Sequence, residues 1–156
     1  MRVTIAAVGR LRAGPEKDIF DDYARRFERT GRPLGLGPLS LLEVEAKKGG
    51  GMGAEAPLLE GACPQGALRV VLDERGAQLD SPALAERIAG WRDEGRRDMC
   101  LMIGGADGLA PDLRDRADFS LSFGRMVWPH MLVRVMLAEQ LYRAASILAG
   151  TPYHRD

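Results

Sequence analysis

Short apolar runs rich in β-branched residues alternate along this chain with longer segments of helical periodicity. That alternation constrains the fold more than any single motif does. Arg2–Val8 reads as a buried first strand, carrying Val3, Ile5 and Val8. Pro15–Arg29 reads as a helix, with proline in its first turn and Ile19, Tyr23 and Phe27 at i, i+4 and i+8. Leu39–Glu45 follows as a second strand, Lys47–Gly53 as a flexible loop and Ala54–Gly61 as a helical turn or two. Leu68–Leu72 is a third strand. Ser81 then reads as an N-cap before Pro82, opening a helix to about Arg96 with Leu84, Ile88 and Trp91 on one face. Met99–Ile103 is a fourth strand, Ala110–Arg116 a short helix, Phe119–Ser122 a fifth strand and Pro129–Ala149 a long final helix.

Strands alternating with helices imply an open, mostly parallel α/β sheet with helices on both faces. With 156 residues, 46% of them apolar, the chain is long enough for one substantial core. No repeat, linker or composition break divides it, so residues 1–156 are expected to form a single domain. The N-terminal apolar run ends at Gly9-Arg10 before any signal-type cleavage pattern. Nowhere does an apolar stretch approach the ~18 residues of a membrane span, so a cytoplasmic location is expected.

Cysteine and charge content exclude several classes. Cys63 and Cys100 are distant in sequence and form no CxxC, and no HxxxH spacing accompanies them, so neither a disulfide framework nor a metal site is expected. Cys100, inside an apolar strand, reads as a small buried hydrophobe. Lys plus Arg equals Asp plus Glu at 22 each, so composition carries no basic footprint for nucleic acid. Arg25, Arg26, Arg29 and Arg32 do form a local basic run, read as a solvated face balanced by Asp21, Asp22 and Glu28.

The final helix is apolar nearly all round, through Met131, Leu132, Val133, Val135, Met136, Leu137, Leu141, Ile147 and Leu148. Its polar residues Glu139, Arg143 and Ser146 make only a thin stripe, and Glu139 and Arg143 have the favourable i,i+4 spacing. Such a helix is buried on more than one side. In a domain this small, one side is the sheet and another a second subunit, which points to a homodimer. Gly150 and Pro152 stop the helix, and a phenol, an imidazole, a guanidinium and a carboxylate follow as Tyr153, His154, Arg155 and Asp156. Alone, those residues read as a frayed end. The other reading is a tail docked over a site.

Ligands of open α/β sheets bind outside the carboxyl ends of the strands. Three such ends stand out, at Leu72–Gly76, Gly104–Gly108 and Leu121–Met126. Glycine there lets the backbone approach a ligand closely. GGADG is not a GxGxxG fingerprint, and KKGGGMG is not a P-loop, because no GK[ST] follows it. Asp73, Glu74 and Asp80 are acid/base candidates, but loop carboxylates are mostly solvated. Trp91 and Trp128 read as core or interface, and His130 reads equally as structural or functional.

VVLDERG, LMIGGADGL and the block from Leu121 to the terminal TPYHRD closely resemble the RlmH family, SPOUT-class methyltransferases acting on N3 of a pseudouridine in 23S ribosomal RNA. The resemblance spans the chain from VTIAAVGR onward and is strongest over the last third. It implies a SPOUT α/β fold with a C-terminal deep trefoil knot, a rare exception to unthreaded connections. It implies S-adenosylmethionine as cofactor, held by Leu72, Gly104, Leu121, Ser122, Phe123, Gly124, Arg125 and Met126, largely through backbone groups. It further implies a homodimer packed through the final helix, with active-site residues from both chains. His154 and Arg155, with Tyr153, would dock the target base and assist its deprotonation, while Arg143 and Glu139 would brace the tail or the RNA phosphates. Two departures from commoner members are the glycine-rich Lys47–Gly53 loop, expected to weaken RNA contacts there, and Asp156 in place of Glu, expected to be nearly neutral. Zero net charge fits recognition of an assembled ribosome and not of free RNA. The competing readings are a non-catalytic ribosome-binding factor with a retained fold and a flavodoxin-like nucleotide or flavin module.

Overall fold

The computed structural model describes residues 1–47 and 50–155. Lys48 and Gly49, within the expected Lys47–Gly53 loop, and the terminal Asp156 lie outside the described residues. The strands β1 (Arg2–Val8), β2 (Leu39–Val44), β3 (Leu68–Gln78), β4 (Asp98–Ile103) and β5 (Phe119–Ser122) form one sheet in the order β2-β1-β4-β3-β5. Every adjacent pair is parallel. The helices are α1 (Pro15–Gly31), α2 (Gly51–Ala62), α3 (Ser81–Asp93), α4 (Pro111–Asp115) and α5 (His130–Leu148).

Strand periodicity of two sorts the core into two layers. Val3, Ile5 and Ala7 of β1 join Met99, Leu101 and Ile103 of β4 on one face, beneath α1, α3 and α5. Ala6, Val8, Cys100 and Met102 point to the other face, where Leu59 of α2 and Leu113 of α4 cover them. Burying each of these aliphatic side chains stabilises the fold by roughly 1.5–3 kcal/mol against leaving it exposed. Cys63, remote in sequence, packs beside the same cluster as Cys100. Burial and the neighbouring Cys63 push the Cys100 thiol far above its ordinary value, so it is an inert thiol. No helix among the described residues is long and apolar enough to cross a membrane.

Several expected boundaries move. α2 starts at Gly51, so three residues assigned to a loop are helical. Asp80, not Ser81, caps α3, its carboxylate accepting from the Ala83 amide at 2.8 Å; Ser81 Oγ instead donates to Gln140 of α5. β3 runs six residues past Leu72, because it pairs with β5 twice. Leu121 faces Leu72 and then Ala77, which extrudes residues 73–76 as a bulge. Gly76 makes that return possible: a β-carbon there would lie 2.7 Å from the Ser120 backbone.

Candidate active site at the strand ends

Two cavities open at the carboxyl edge of the sheet, and the β5–α5 loop separates them. The first, about 320 Å³, lies between the Asp73–Gly76 bulge and the Gly104–Gly108 loop. That is the lower end of the range for small-molecule sites. Leu72, Gly104, Leu121, Phe123, Gly124 and Met126 line it, as six of the eight expected cofactor residues. Ser122 does not: its hydroxyl donates to the carbonyls of Glu74 and Gly124, tying the bulge to the loop. Arg125 is exposed and lines neither cavity.

The glycine loop is as tight as its composition implies. A β-carbon on Gly104 would lie 2.5 Å from the Gly108 carbonyl oxygen, and one on Gly105 would meet the Glu55 carboxylate at 2.7 Å. The backbone therefore forms the cavity wall where a side chain would fill it. Polar groups frame the opening. Asp73 is not a solvated loop carboxylate: it accepts from the Arg75 amide at 2.9 Å and pairs with Arg114 Nη1 at 3.2 Å. His130, the first residue of α5, also lines this cavity. Burial, and secondarily the Arg134 guanidinium, hold its imidazole below the ordinary histidine value, against an opposing pull from Glu55.

The start of α5 is pinned by a residue that sequence reasoning missed. Arg134 has no exposed surface, yet it carries a guanidinium. It donates to the Val8 carbonyl and, at 3.0 Å, to Glu43 Oε1, which also accepts from the Leu11 amide. Its position four residues after His130 on an otherwise apolar helix face was the available signal.

The second cavity, about 870 Å³, lies between α1, α3 and α5, with Leu121, Phe123 and Gly124 as the wall shared with the first. The tail docks at its edge. Tyr153 Oη donates to Glu139 Oε1 at 2.9 Å and to Tyr23 Oη at 3.4 Å, and its ring centroid is 4.5 Å from that of Tyr142. Arg143 binds Glu139 through Nε at 3.1 Å and through Nη2, while its guanidinium lies 4.8 Å over the Tyr153 ring. His154 lines the cavity, with Nδ1 3.4 Å from Arg143 Nη1. A guanidinium only donates, so Nδ1 can take part in this contact only as an acceptor, and Nε2 is shut off from solvent. The Tyr153 phenol is raised far above its ordinary value by burial and by the bonds to Tyr23 and Glu139, so it stays un-ionised. The hydrogen bonds that Arg143 donates to Glu139 raise its guanidinium above the ordinary value. Arg155 is exposed. The structure thus gathers Tyr153, His154, Arg143 and Glu139, adds Tyr23 and Tyr142, and leaves Arg155 outside the network. Tyr23 reads as core in the sequence because its spacing with Ile19 and Phe27 is that of a buried helix face.

Comparison with known proteins agrees with this architecture. The family model described as "Predicted SPOUT methyltransferase" matches residues 1–154. Proteins named Ribosomal RNA large subunit methyltransferase H from Ruegeria pomeroyi and Roseobacter denitrificans are 70% and 69% identical, over 99% and 100% of both chains respectively. The corresponding protein of Cereibacter sphaeroides (strain ATCC 17025) is 70% identical over 155 residues. A solved structure of a probable methylase family protein from Haemophilus influenzae Rd KW20 superposes with a TM-score of 0.50 at 10% identity, covering 99% of this chain and 70% of that one. At that identity the likeness concerns the fold alone. Matched along essentially its whole length, the chain belongs to the SPOUT methyltransferase family, within the RlmH group.

Proposed function

We propose that this protein is an S-adenosylmethionine-dependent methyltransferase that modifies N3 of a pseudouridine in large-subunit 23S ribosomal RNA, on the assembled particle. The observation that carries the reading is the shared wall of Leu121, Phe123 and Gly124. It sets a backbone-lined cavity back to back with a cavity edged by the polar tail. The names of the 66–70% identical relatives support large-subunit RNA as the target class.

The smaller cavity fits the cofactor's chemistry. Leu72, Leu121 and Phe123 offer an apolar slot for the adenine, and the Gly104–Gly105 backbone supplies close polar contacts. Asp73, fixed by Arg114, faces the same opening as a carboxylate for hydroxyl or cationic groups. Adenosylmethionine supplies an electrophilic methyl on a sulfonium. The chain's own residues must orient the base and handle the N3 proton, and positioning with exclusion of water provides most of the acceleration. Tyr153, un-ionised, is a stacking and hydrogen-bonding platform and not a base. His154 has Nδ1 turned to Arg143 and so acts by placement, holding the tail in register. The weakly acidic N3 proton passes to solvent water, Arg143, a permanent cation, stabilises the N3 anion left behind, and that nitrogen takes the methyl as the thioether product departs.

Two copies complete the site. Met126, Val127 and Trp128 are 68%, 88% and 36% exposed, and Met131 and Leu132 of α5 extend that strip. A contiguous exposed apolar strip marks an association surface. Among the described residues no tail residue lines the smaller cavity, so a second copy packed on α5 would bring its own tail to it. The knotted path of the C-terminal segment and a cytoplasmic location belong to the same reading.

The test is to incubate purified large ribosomal subunits with the protein and methyl-labelled adenosylmethionine, then map the label by mass spectrometry. Label at N3 of one pseudouridine is expected. His154→Ala should bind adenosylmethionine as the parent does while label falls about a hundredfold, as for loss of a group that positions the reacting base. Absence of cofactor binding by calorimetry would sink the enzyme reading in favour of a non-catalytic ribosome-binding factor.

A further inference from the structure

The basic run on α1 is a solvated face, as expected, but not a balanced one. Of the three acidic residues expected to neutralise it, Asp21 is taken by Lys17, one turn earlier on the helix. Glu28 turns towards β2, where Oε1 accepts from the Leu39 amide at 3.3 Å. Only Asp22 remains. It serves two arginines, Arg26 at 2.7 Å and Arg25 at 3.6 Å. Arg29 is exposed one turn beyond Arg25. Asp22, Arg25, Arg26 and Arg29 together line a shallow cleft of about 460 Å³ holding three cations and one carboxylate. A protein of zero net charge therefore carries a local surplus of positive charge in a concave surface.

The position of the cleft gives that surplus a use. The Arg26 guanidinium lies 5.8 Å from the Tyr23 ring centroid and 5.9 Å from that of Tyr142. Tyr142 stacks on Tyr153, and Tyr23 accepts from the Tyr153 hydroxyl. One layer of tyrosines thus separates the arginine cleft from the tail. Guanidinium groups match phosphate oxygens in fork geometry, and two exposed arginines at i,i+4 spacing lie about 6 Å apart along a helix axis.

We infer that Arg25 and Arg29 of α1, flanking Arg26, form a phosphate-binding cleft that seats the RNA backbone beside the target nucleotide. The partner's identity rests on the methyltransferase reading above; the anion-binding surface does not. Arg26 supports the tyrosine layer, and Arg25 and Arg29 make the contacts.

The experiment is sedimentation binding of the protein to purified large ribosomal subunits over a range of salt concentrations. It compares the parent with Arg25→Gln/Arg29→Gln and Arg25→Lys/Arg29→Lys. The glutamine variant should bind roughly tenfold more weakly, with a slope of log affinity against log salt shallower by about 1.5, as for two lost phosphate contacts. Its adenosylmethionine affinity and its kcat at saturating subunit should equal the parent's, and the lysine variant should recover most of the salt slope. Equal affinity and slope for parent and glutamine variant overturn the inference, as does a parent that does not bind subunits. Arginine-dependent binding without methyl transfer would sink the methyltransferase reading and keep this surface. Normal methylation of subunits by a glutamine variant with unaltered binding would do the reverse.

Discussion

Arg134 and Arg143 lie nine residues apart on α5, two and a half turns, and so project from opposite sides of the helix. One faces the sheet, the other the tail. Arg134 has no exposed side-chain surface, and burial holds its guanidinium below the ordinary arginine value despite Glu43. Arg143 keeps 24% of its side chain exposed, and its bond to Glu139 raises it above that value. The same residue type thus does two kinds of work. Removed from water, it clamps α5 to the carboxyl ends of β1 and β2 and so fixes where His130 meets the smaller cavity. At the rim, it holds the tail through Glu139 and Tyr153 and keeps a partly exposed charge beside the larger cavity. The buried half of the helix is therefore expected to answer substitution with lost stability, the rim half with lost turnover.

The hardest blow to that contrast comes from Glu43→Gln. Leaving Arg134 buried without a counter-charge should cost about 3 kcal/mol, the low end for breaking one partner of a buried pair. The low end applies because Glu43 keeps 27% of its side chain exposed. Urea unfolding measures this, and a loss below about 1 kcal/mol would place the pair among ordinary surface bridges.

Glu139→Gln should act on the other half. It removes the charge that holds Arg143 and receives the Tyr153 proton donor. Methylation should fall about tenfold, the effect of one charge-assisted hydrogen bond of ~1.5 kcal/mol. Adenosylmethionine affinity should stay unchanged. An equal loss in cofactor binding would erase the division between the two cavities.

The smallest effect is in the pH dependence of stability. His130 is held neutral in the fold by burial and by Arg134, so protonation favours the unfolded chain. Its contribution is complete above the ordinary value of 6.5 and is lost as pH falls from there through the depressed folded value. His130→Asn should flatten the stability profile in that window. A parallel profile for parent and variant would show that the imidazole feels no such burial.

Much of the fold was legible because hydrophobic periodicity reports directly on which face is buried. β5 fell at its expected bounds, and α5 began and ended within one residue of them. What was missed shares one cause. The extension of β3 depends on a second pairing, of Ala77 with Leu121, across 44 positions. The helical start of α2 sits in glycines whose local preference is against it. The cavity lining was half legible in this sense: glycines after strands announce close approach, but only the bulge shows that Ser122 ties Glu74 to the loop, and Arg125 is exposed.

By itself the sequence determined the alternating α/β order, the two apolar faces of each inner strand and the family to which the chain belongs. These rest on local periodicity and on long contiguous motifs. Tertiary structure alone decided which charges are partners. Asp21 and Glu28 stand beside the α1 arginines in sequence, yet Lys17 and the Leu39 amide claim them. Arg134 meets Glu43 across 91 positions. Spacing along a helix offers local candidates, as with Glu139 and Arg143, but the choice among candidates depends on distance and burial in space.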